Sequence, residues 1–114
     1  MLLDEFILWL EAERRYSPLT VRNYRRDVDD FIAFCGATRD NFNPNDIRRV
    51  DIEEWMVYLG DKRKLKVTSV NRTMASLRTF WRWMLAHGHV NKDLLKGLRQ
   101  YKAPRRLPTF VPDS

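Results

Sequence analysis

The sequence is poor in the residue types that build self-contained chemical sites. Its one cysteine, Cys35, excludes an internal disulfide, and two histidines are too few for the usual zinc ligand sets. It has no glycine-rich phosphate loop and neither a G-x-S-x-G nor an H-E-x-x-H motif. No apolar run approaches the ~20 residues that span a bilayer. The apolar start, residues 1–10, has no basic region and no small-residue cleavage site, so we do not interpret it as a signal peptide. We therefore expect a cytoplasmic protein that needs no cofactor and no metal. We also expect neither a membrane nor a small molecule as its partner.

Acidic residues are missing from one long stretch. No aspartate or glutamate lies between Asp61 and Asp93, and residues 61–114 carry thirteen basic against three acidic side chains. Residues 1–60 carry eight basic and twelve acidic ones, and the formal net charge of the whole chain is +6. This uneven charge favours a polyanionic partner over a neutral substrate. Nucleic acid and a membrane surface both fit the charge alone, and the helix faces described below lead us to expect nucleic acid.

Apolar residues suffice for one core, because 44% of the 114 residues are hydrophobic and 32% are charged. No segment alternates apolar and polar residues with the period of two that marks a strand. We therefore predict an all-α protein, a compact bundle of four to five helices. The predicted helices cover residues 2–14, 18–35 and 52–59, then a long segment from Thr68 or Lys66 to about 87, and finally 92–101, which should bury Leu94, Leu95 and Leu98.

Several helix boundaries carry a chemical signal. Ser17 is the predicted N-cap of the second helix, with Pro18 at the first helical position. Asp51 is the predicted cap of the third helix. The expected stops of the second, third and fourth helices are Gly36, Gly60 and Gly88.

The segments between and after the helices are rich in turn formers. Residues 37–45 predict a loop, followed by a short helical turn at 46–49. Three prolines between residues 104 and 112 predict an extended linker over 104–114. The helical domain is accordingly expected to cover residues 1–103.

The second predicted helix carries a basic side. Five arginines and no acid lie in residues 14–26. The free N–H groups of a helix start also suit a phosphate. At 100° per residue, the side opposite the apolar stripe and the flank of the first turn hold the candidate DNA contacts Thr20, Arg22, Asn23 and Arg26.

The long fourth helix combines short hydroxyl side chains with arginine on its outer side. Arginine can bind guanine bidentately, and serine or threonine reach base edges or phosphates. The candidate groove-facing residues are Thr68, Ser69, Arg72, Ser76 and Thr79. Lys62, Arg63, Lys64 and Lys66 precede the helix, where they are placed to hold backbone phosphates.

Each feature also has a plainer interpretation. A polar, arginine-bearing outer face is what any solvated helix needs. Phe80 and Trp81 fit core packing better than a base-stacking platform, whereas Trp83 faces away from the stripe and its exposure stays open. His87 and His89 fit a helix end, where the dipole favours a cation.

Two further groups are interpreted as structural. Asp27, Asp29 and Asp30 lie within one turn, and we interpret them as helix-surface charge rather than a metal site. Cys35 is interpreted as a small buried apolar side chain.

Three segments resemble the N-terminal half of tyrosine recombinases. Residues 16–28, YSPLTVRNYRRDV, resemble that family's S-x-x-T-x-x-x-Y-x-x-D-L helix opening. Residues 68–83, TSVNRTMASLRTFWRW, resemble its S-V-N-R-x-L-S-A-L-R-S-F-Y-R-W helix. Residues 102–108, KAPRRLP, are similar to its K-x-P-R-R-L-P linker. The matches follow one another at the family's spacing and cover nearly the whole chain.

The resemblance implies the core-binding (SAM-like) domain of a Xer- or phage-integrase-type recombinase. In that family this domain clamps one side of double-stranded DNA, and a C-terminal domain clamps the other side and cuts. Other protomers are then partners on DNA, and the chain alone is expected to be a monomer. By position, the implied DNA contacts are Thr20, Asn23, Arg26, Lys66, Thr68, Ser69, Arg72 and Ser76, with Arg105 and Arg106 in a linker along the DNA.

The catalytic motifs of the family have no counterpart here. Its tyrosine nucleophile and Arg/Lys/His/Arg set belong to the C-terminal domain, and none of the four tyrosines of this chain lies in such a motif. We expect that the chain alone does not cleave DNA and is a fragment of a longer, nucleoid-associated enzyme. Two alternatives are a stand-alone helical DNA-binding regulator and a protein–protein interaction module.

Overall fold

A computed structural model describes residues 2–38, 41–99 and 101. Within those ranges it contains four α-helices, one 3-10 turn and no strand. The helices are α1 (Leu2–Ala12), α2 (Pro18–Phe34), α3 (Arg49–Asp61) and α4 (Val67–Ala86). The all-α prediction is confirmed. No helix in the described part of the chain is long and apolar enough to cross a membrane.

Local signals define the ends of α2 and α4. Ser17 caps α2, because its Oγ accepts a hydrogen bond from the Thr20 backbone N–H at 3.3 Å. Gly36 and Gly88 follow the two helices with φ angles of 78° and 81°. Glycine adopts this left-handed conformation without the steric penalty of a side chain, so both predicted stops are confirmed.

The start of α3 lies earlier than predicted. The N-cap is Arg48, and Asp51 occupies the third helical position, where its Oδ2 accepts from the Arg48 backbone N–H at 2.8 Å. The prediction that Asp51 is the cap is wrong because its carboxylate reaches back to the cap instead. The predicted stop at Gly60 is also wrong, since α3 continues through Asp61.

The segment before α3 differs in a similar way. The short turn predicted at 46–49 lies instead at Pro44–Asp46, as one 3-10 turn. Asn43 caps it, and its Oδ1 accepts from the Asn45 backbone N–H at 3.0 Å. Asn43 followed by Pro44 starts the turn before the residues that were expected to form it.

The fifth helix predicted over residues 92–101 is absent from the described residues, which form a bend at 91–92 and a turn at 94–97. Asp93 Oδ1 accepts from the Leu95 backbone N–H at 3.0 Å, and Gly97 has a φ of 79°. A side-chain acceptor and a left-handed glycine thus interrupt the helix within one turn. Leu95 is buried as expected, whereas Leu94 and Leu98 are only partly buried. The predicted linker, 104–114, lies outside the described residues.

The core is built around α4, which contacts both α2 and α3, while α1 packs on α2. Phe31 of α2 makes edge-to-face contacts with Trp55 of α3 and Trp81 of α4, at centroid distances of 5.8 and 6.2 Å. Each such ring contributes about 1.5–3 kcal/mol by burial. This packing fixes α2 against α4 and determines which of their side chains reach the surface.

Candidate nucleic-acid interface

The connectors before α2 and α4 share one backbone design. Arg15 and Lys64 have φ angles of 53° and 58°, the only non-glycine residues in the described part with positive φ. In both connectors the next residue donates its N–H to a carbonyl six positions back: Tyr16 to Leu10 at 3.2 Å and Leu65 to Leu59 at 3.1 Å. Each connector therefore places an exposed cation three residues before a helix start, in a conformation that costs an L-residue about 1 kcal/mol or more.

The N-terminal half of α2 presents its cations to solvent. Arg22 and Arg26 are exposed, and Thr20 and Asn23 are half-buried. The Thr20 hydroxyl lies 3.0 Å from Ser17 Oγ, which ties it to the helix cap. The outer side predicted for this helix is thus the solvent-facing side for both arginines.

The start of α4 has a similar character. Lys66 is its exposed N-cap, and Thr68 and Arg72 are exposed in the first and second turns. Ser69 and Thr79 are half-buried, and Thr79 Oγ1 donates to the Ala75 carbonyl at 3.1 Å. Thr79 therefore uses its hydroxyl within its own helix.

Ser76 and Asp27 are placed differently from the sequence prediction. Ser76 was predicted on the outer side of α4, but it is only 2% exposed, so that prediction is wrong. Its Oγ donates to Asp27 Oδ2 at 2.7 Å, and Asp27, which was interpreted as surface charge, is 8% exposed. The physical reason is that α4 packs against two helices, so its buried arc is wider than its apolar stripe.

Next to this hydrogen bond lies a charged cleft of about 240 Å³ between α2, the α3–α4 connector and α4. Its charged lining residues are Arg26, Asp27, Asp30, Arg63 and Arg72. Arg63 Nη1 donates to Asp30 Oδ2 at 3.2 Å, and Arg26 Nε lies 3.8 Å from Asp27 Oδ1. The cleft lies between the middle of α2 and the first two turns of α4, and we call it the arginine cleft.

The carboxylate of Asp27 is held in an unusual electrostatic setting. Burial raises the pKa of Asp27, while the Ser76 hydrogen bond and the charges of Arg26 and Arg72 oppose that rise. Sequence reasoning missed this residue as a part of the site. The one feature of the sequence that could have indicated it is the resemblance to the recombinase helix opening S-x-x-T-x-x-x-Y-x-x-D-L, in which Asp27 takes the place of the aspartate.

The aromatic and thiol side chains are structural. Trp83, whose exposure the sequence left open, is buried, and its ring lies 5.2 and 5.1 Å from the rings of His87 and His89. With Phe80 and Trp81 also buried, these rings offer no platform for stacking bases. Cys35 is half-buried rather than fully buried, and burial, helped by the charge of Asp51, raises its thiol pKa to about 11.

No group of three or more histidine, cysteine, aspartate or glutamate side chains in the described ranges is arranged to hold a metal ion. The chemistry that this surface offers is therefore that of guanidinium, ammonium, hydroxyl and amide donors. Such donors bind anionic oxygens, and phosphate oxygens above all.

Comparison with known proteins identifies the relatives of this chain. The family model described as "Phage integrase, N-terminal SAM-like domain" matches residues 3–88. The tyrosine recombinase XerC of Pediococcus pentosaceus is 34% identical over 109 residues, covering 96% of this chain and 36% of the relative. The tyrosine recombinase XerD of Listeria monocytogenes is 30% identical over 110 residues, covering 96% of this chain and 37% of the relative.

A third relative, the tyrosine recombinase XerC of Lacticaseibacillus casei, is 36% identical over 104 residues and covers 90% of this chain. The chain spans little more than a third of the length of these relatives, 34–37%. No solved structure matches it. Because the family match begins within α1 and extends past the end of α4, the chain belongs to the phage-integrase N-terminal SAM-like domain family, as its resemblance to tyrosine recombinases implied.

Proposed function

We propose that this chain binds duplex DNA as the N-terminal clamp domain of a site-specific tyrosine recombinase. The observation that carries the proposal is the arginine cleft, which brings together Arg26 of α2, Arg63 of the α3–α4 connector and Arg72 of α4. Strand cleavage and exchange belong to the longer protein, as the relatives' name and their greater length suggest. Other protomers of that recombinase are partners when it assembles on DNA.

The contacts divide by chemistry. Lysines in the α3–α4 connector and at the N-cap of α4 are exposed point charges that suit backbone phosphates. Thr68 and Arg72, which are exposed and four residues apart on one side of α4, suit the groove itself. The proposed phosphate and base contacts are Thr20, Arg22, Asn23, Arg26, Lys62, Lys64, Lys66, Thr68, Ser69 and Arg72.

Four predicted contacts have a different status. Ser76 is left out, because its hydroxyl is buried against Asp27. Thr79 is kept only as a short side chain that permits close approach, since its hydroxyl bonds to Ala75. Arg105 and Arg106 lie outside the described residues and remain proposed contacts along the DNA.

Alanine substitution of Arg72 tests the groove-facing role. Arg72→Ala should weaken binding to a duplex by roughly tenfold, the usual effect of removing one bidentate arginine contact. Arg99→Ala is the matched control, because Arg99 is also exposed but lies in the turns beyond α4. Equal effects of the two substitutions in a fluorescence anisotropy titration would remove Arg72 from the DNA-facing surface.

A further inference from the structure

We propose that Asp27 is a positioning residue of this surface, whose buried carboxylate holds Arg26 and Arg72 side by side in the arginine cleft, directed at one backbone phosphate. The inference deepens the proposed DNA-binding function and depends on it. It assigns a role to an acidic residue on a surface whose other proposed contacts are basic or polar.

The first support is the way in which Asp27 is anchored. Its Oδ2 accepts from Ser76 Oγ at 2.7 Å, and this hydrogen bond joins α2 to α4. Both side chains are more than nine-tenths buried, so the carboxylate has a fixed position relative to both helices. A charge fixed in this way can restrain a flexible guanidinium group, whereas an exposed carboxylate on a mobile side chain cannot.

The second support is the arrangement of the cations. Arg26 precedes Asp27 in α2, and its Nε lies 3.8 Å from Asp27 Oδ1. Arg72 enters the same cleft from α4 and is close enough to stabilise the carboxylate by its charge. Two guanidinium groups in one small cleft repel each other, and a carboxylate in the same cleft offsets that repulsion.

The third support is that folding alone does not require an acid here. Asparagine could accept the same hydrogen bond from Ser76 without a buried charge. Burial opposes ionisation of Asp27, so its charge disfavours folding rather than helping it. A buried charge that the hydrogen bond does not need points to a function in the neighbouring arginines.

The test uses the sign of the effect of Asp27→Asn on DNA affinity. The substitution raises the net charge of the chain by one, so a bystander aspartate beside a DNA surface would yield tighter binding when it is replaced. If Asp27 positions the two arginines, the substitution should instead weaken binding by roughly tenfold. The slope of log affinity against log salt concentration should also become shallower by the equivalent of about one phosphate contact.

Three further variants make the test specific. Asp61→Asn makes the same change in charge at an exposed position and should bind as tightly as the wild type, or more tightly. In an Arg26→Ala/Arg72→Ala background, Asp27→Asn should have no further effect, since Asp27 acts through those arginines. If Asp27→Asn fails to fold, Ser76→Ala replaces it, because it frees the carboxylate without changing charge and should weaken binding about threefold.

The outcomes separate this inference from the proposed function. One outcome is that the wild-type chain binds a duplex at low salt and that Asp27→Asn binds as tightly as Asp61→Asn. This outcome overturns the positioning role and leaves the proposed function intact. Unchanged binding by Ser76→Ala has the same meaning where that variant is used. If the wild-type chain binds no duplex at low salt, the proposed function fails and the positioning role fails with it.

Discussion

The side-chain amide of Asn71 holds the backbone of Tyr101 at both of its polar groups. Asn71 Oδ1 accepts from the Tyr101 N–H at 2.7 Å, and Asn71 Nδ2 donates to the Tyr101 carbonyl at 3.2 Å. The Tyr101 ring covers Gly60 of α3, where a side chain of any kind would collide with it. One residue of α4 thus fixes the end of the described chain against the bundle.

Replacing Asn71 should therefore destabilise the fold. Asn71→Ala removes both hydrogen bonds and leaves two half-buried backbone groups without their partner, at a cost of about 1–3 kcal/mol. Urea unfolding followed by circular dichroism measures this change. Asn91→Ala, at an exposed position, is the control and should change stability by less than about 0.5 kcal/mol. Equal unfolding midpoints for the two variants would contradict the role of Asn71.

Lys64 should show opposite effects on stability and on binding. Its φ of 58° is unfavourable for lysine and favourable for glycine, so Lys64→Gly should stabilise the fold by about 1 kcal/mol or less. The same substitution removes a proposed phosphate contact and should reduce the salt dependence of DNA binding by about one contact. Thermal unfolding and a salt titration measure the two effects.

Lys62→Gly is the matched control for Lys64→Gly. It removes the same charge two residues earlier, but Lys62 has an ordinary φ of −90°. Glycine at that position should lower stability by about 0.5–1 kcal/mol through the entropy of the unfolded chain. If both glycine variants shift the melting temperature in the same direction, Lys64 is not a strained position.

The pH dependence of stability should report on Asp27. Because burial raises its pKa in the folded state above the unfolded value of 3.8, the folded chain binds this proton more tightly than the unfolded chain. The contribution of Asp27 to the free energy of unfolding is therefore most favourable below pH 3.8, where the carboxyl is protonated in both states. This contribution is lost as the pH rises through the folded pKa. Asp27→Asn, which never ionises, should be at least as stable as the wild type at neutral pH, with a smaller advantage below pH 3.8. A variant that is less stable than the wild type at neutral pH but not in acid would show that the charge favours folding.

Cys35 should react slowly with thiol reagents. With a pKa of about 11, only about a thousandth of the thiol is ionised at pH 8, and the thiolate is the reactive form. Labelling with Ellman's reagent at pH 8 should be at least about 100-fold slower in the native chain than in the urea-unfolded chain, and the native rate should rise with pH towards 11. Native labelling at the rate of the unfolded chain would mean that the thiol has an ordinary pKa.

Those parts of the fold that depend on local chemistry were predictable from the sequence. Ser17 and Pro18 begin α2, and Gly36 and Gly88 end α2 and α4, because caps and left-handed glycines act within a few residues of where they stand. The third helix start was misplaced because an aspartate serves equally well as the cap or as the third residue of a capping box.

Those parts that depend on packing between helices were not predictable. A stripe of apolar residues indicates one buried side, but α4 packs against more than one helix, and small residues such as Ser76 allow close approach. Leu94, Leu95 and Leu98 have a spacing that suits a helix, yet Asp93 and Gly97 turn the chain first. The exposed arginines of the site were therefore predictable, whereas the buried carboxylate in the same cleft was not.

The dependence of duplex DNA affinity on salt concentration tests the central claim most directly. If the helix starts of α2 and α4 make about 5–7 phosphate contacts, the logarithm of affinity should fall with the logarithm of salt concentration with a slope of about −5. For half of a clamp we expect a dissociation constant on the order of 10⁻⁴–10⁻⁶ M at physiological salt, which is the range of non-specific DNA binding. A flat salt response, or no binding to any duplex at low salt, would contradict a DNA-binding function.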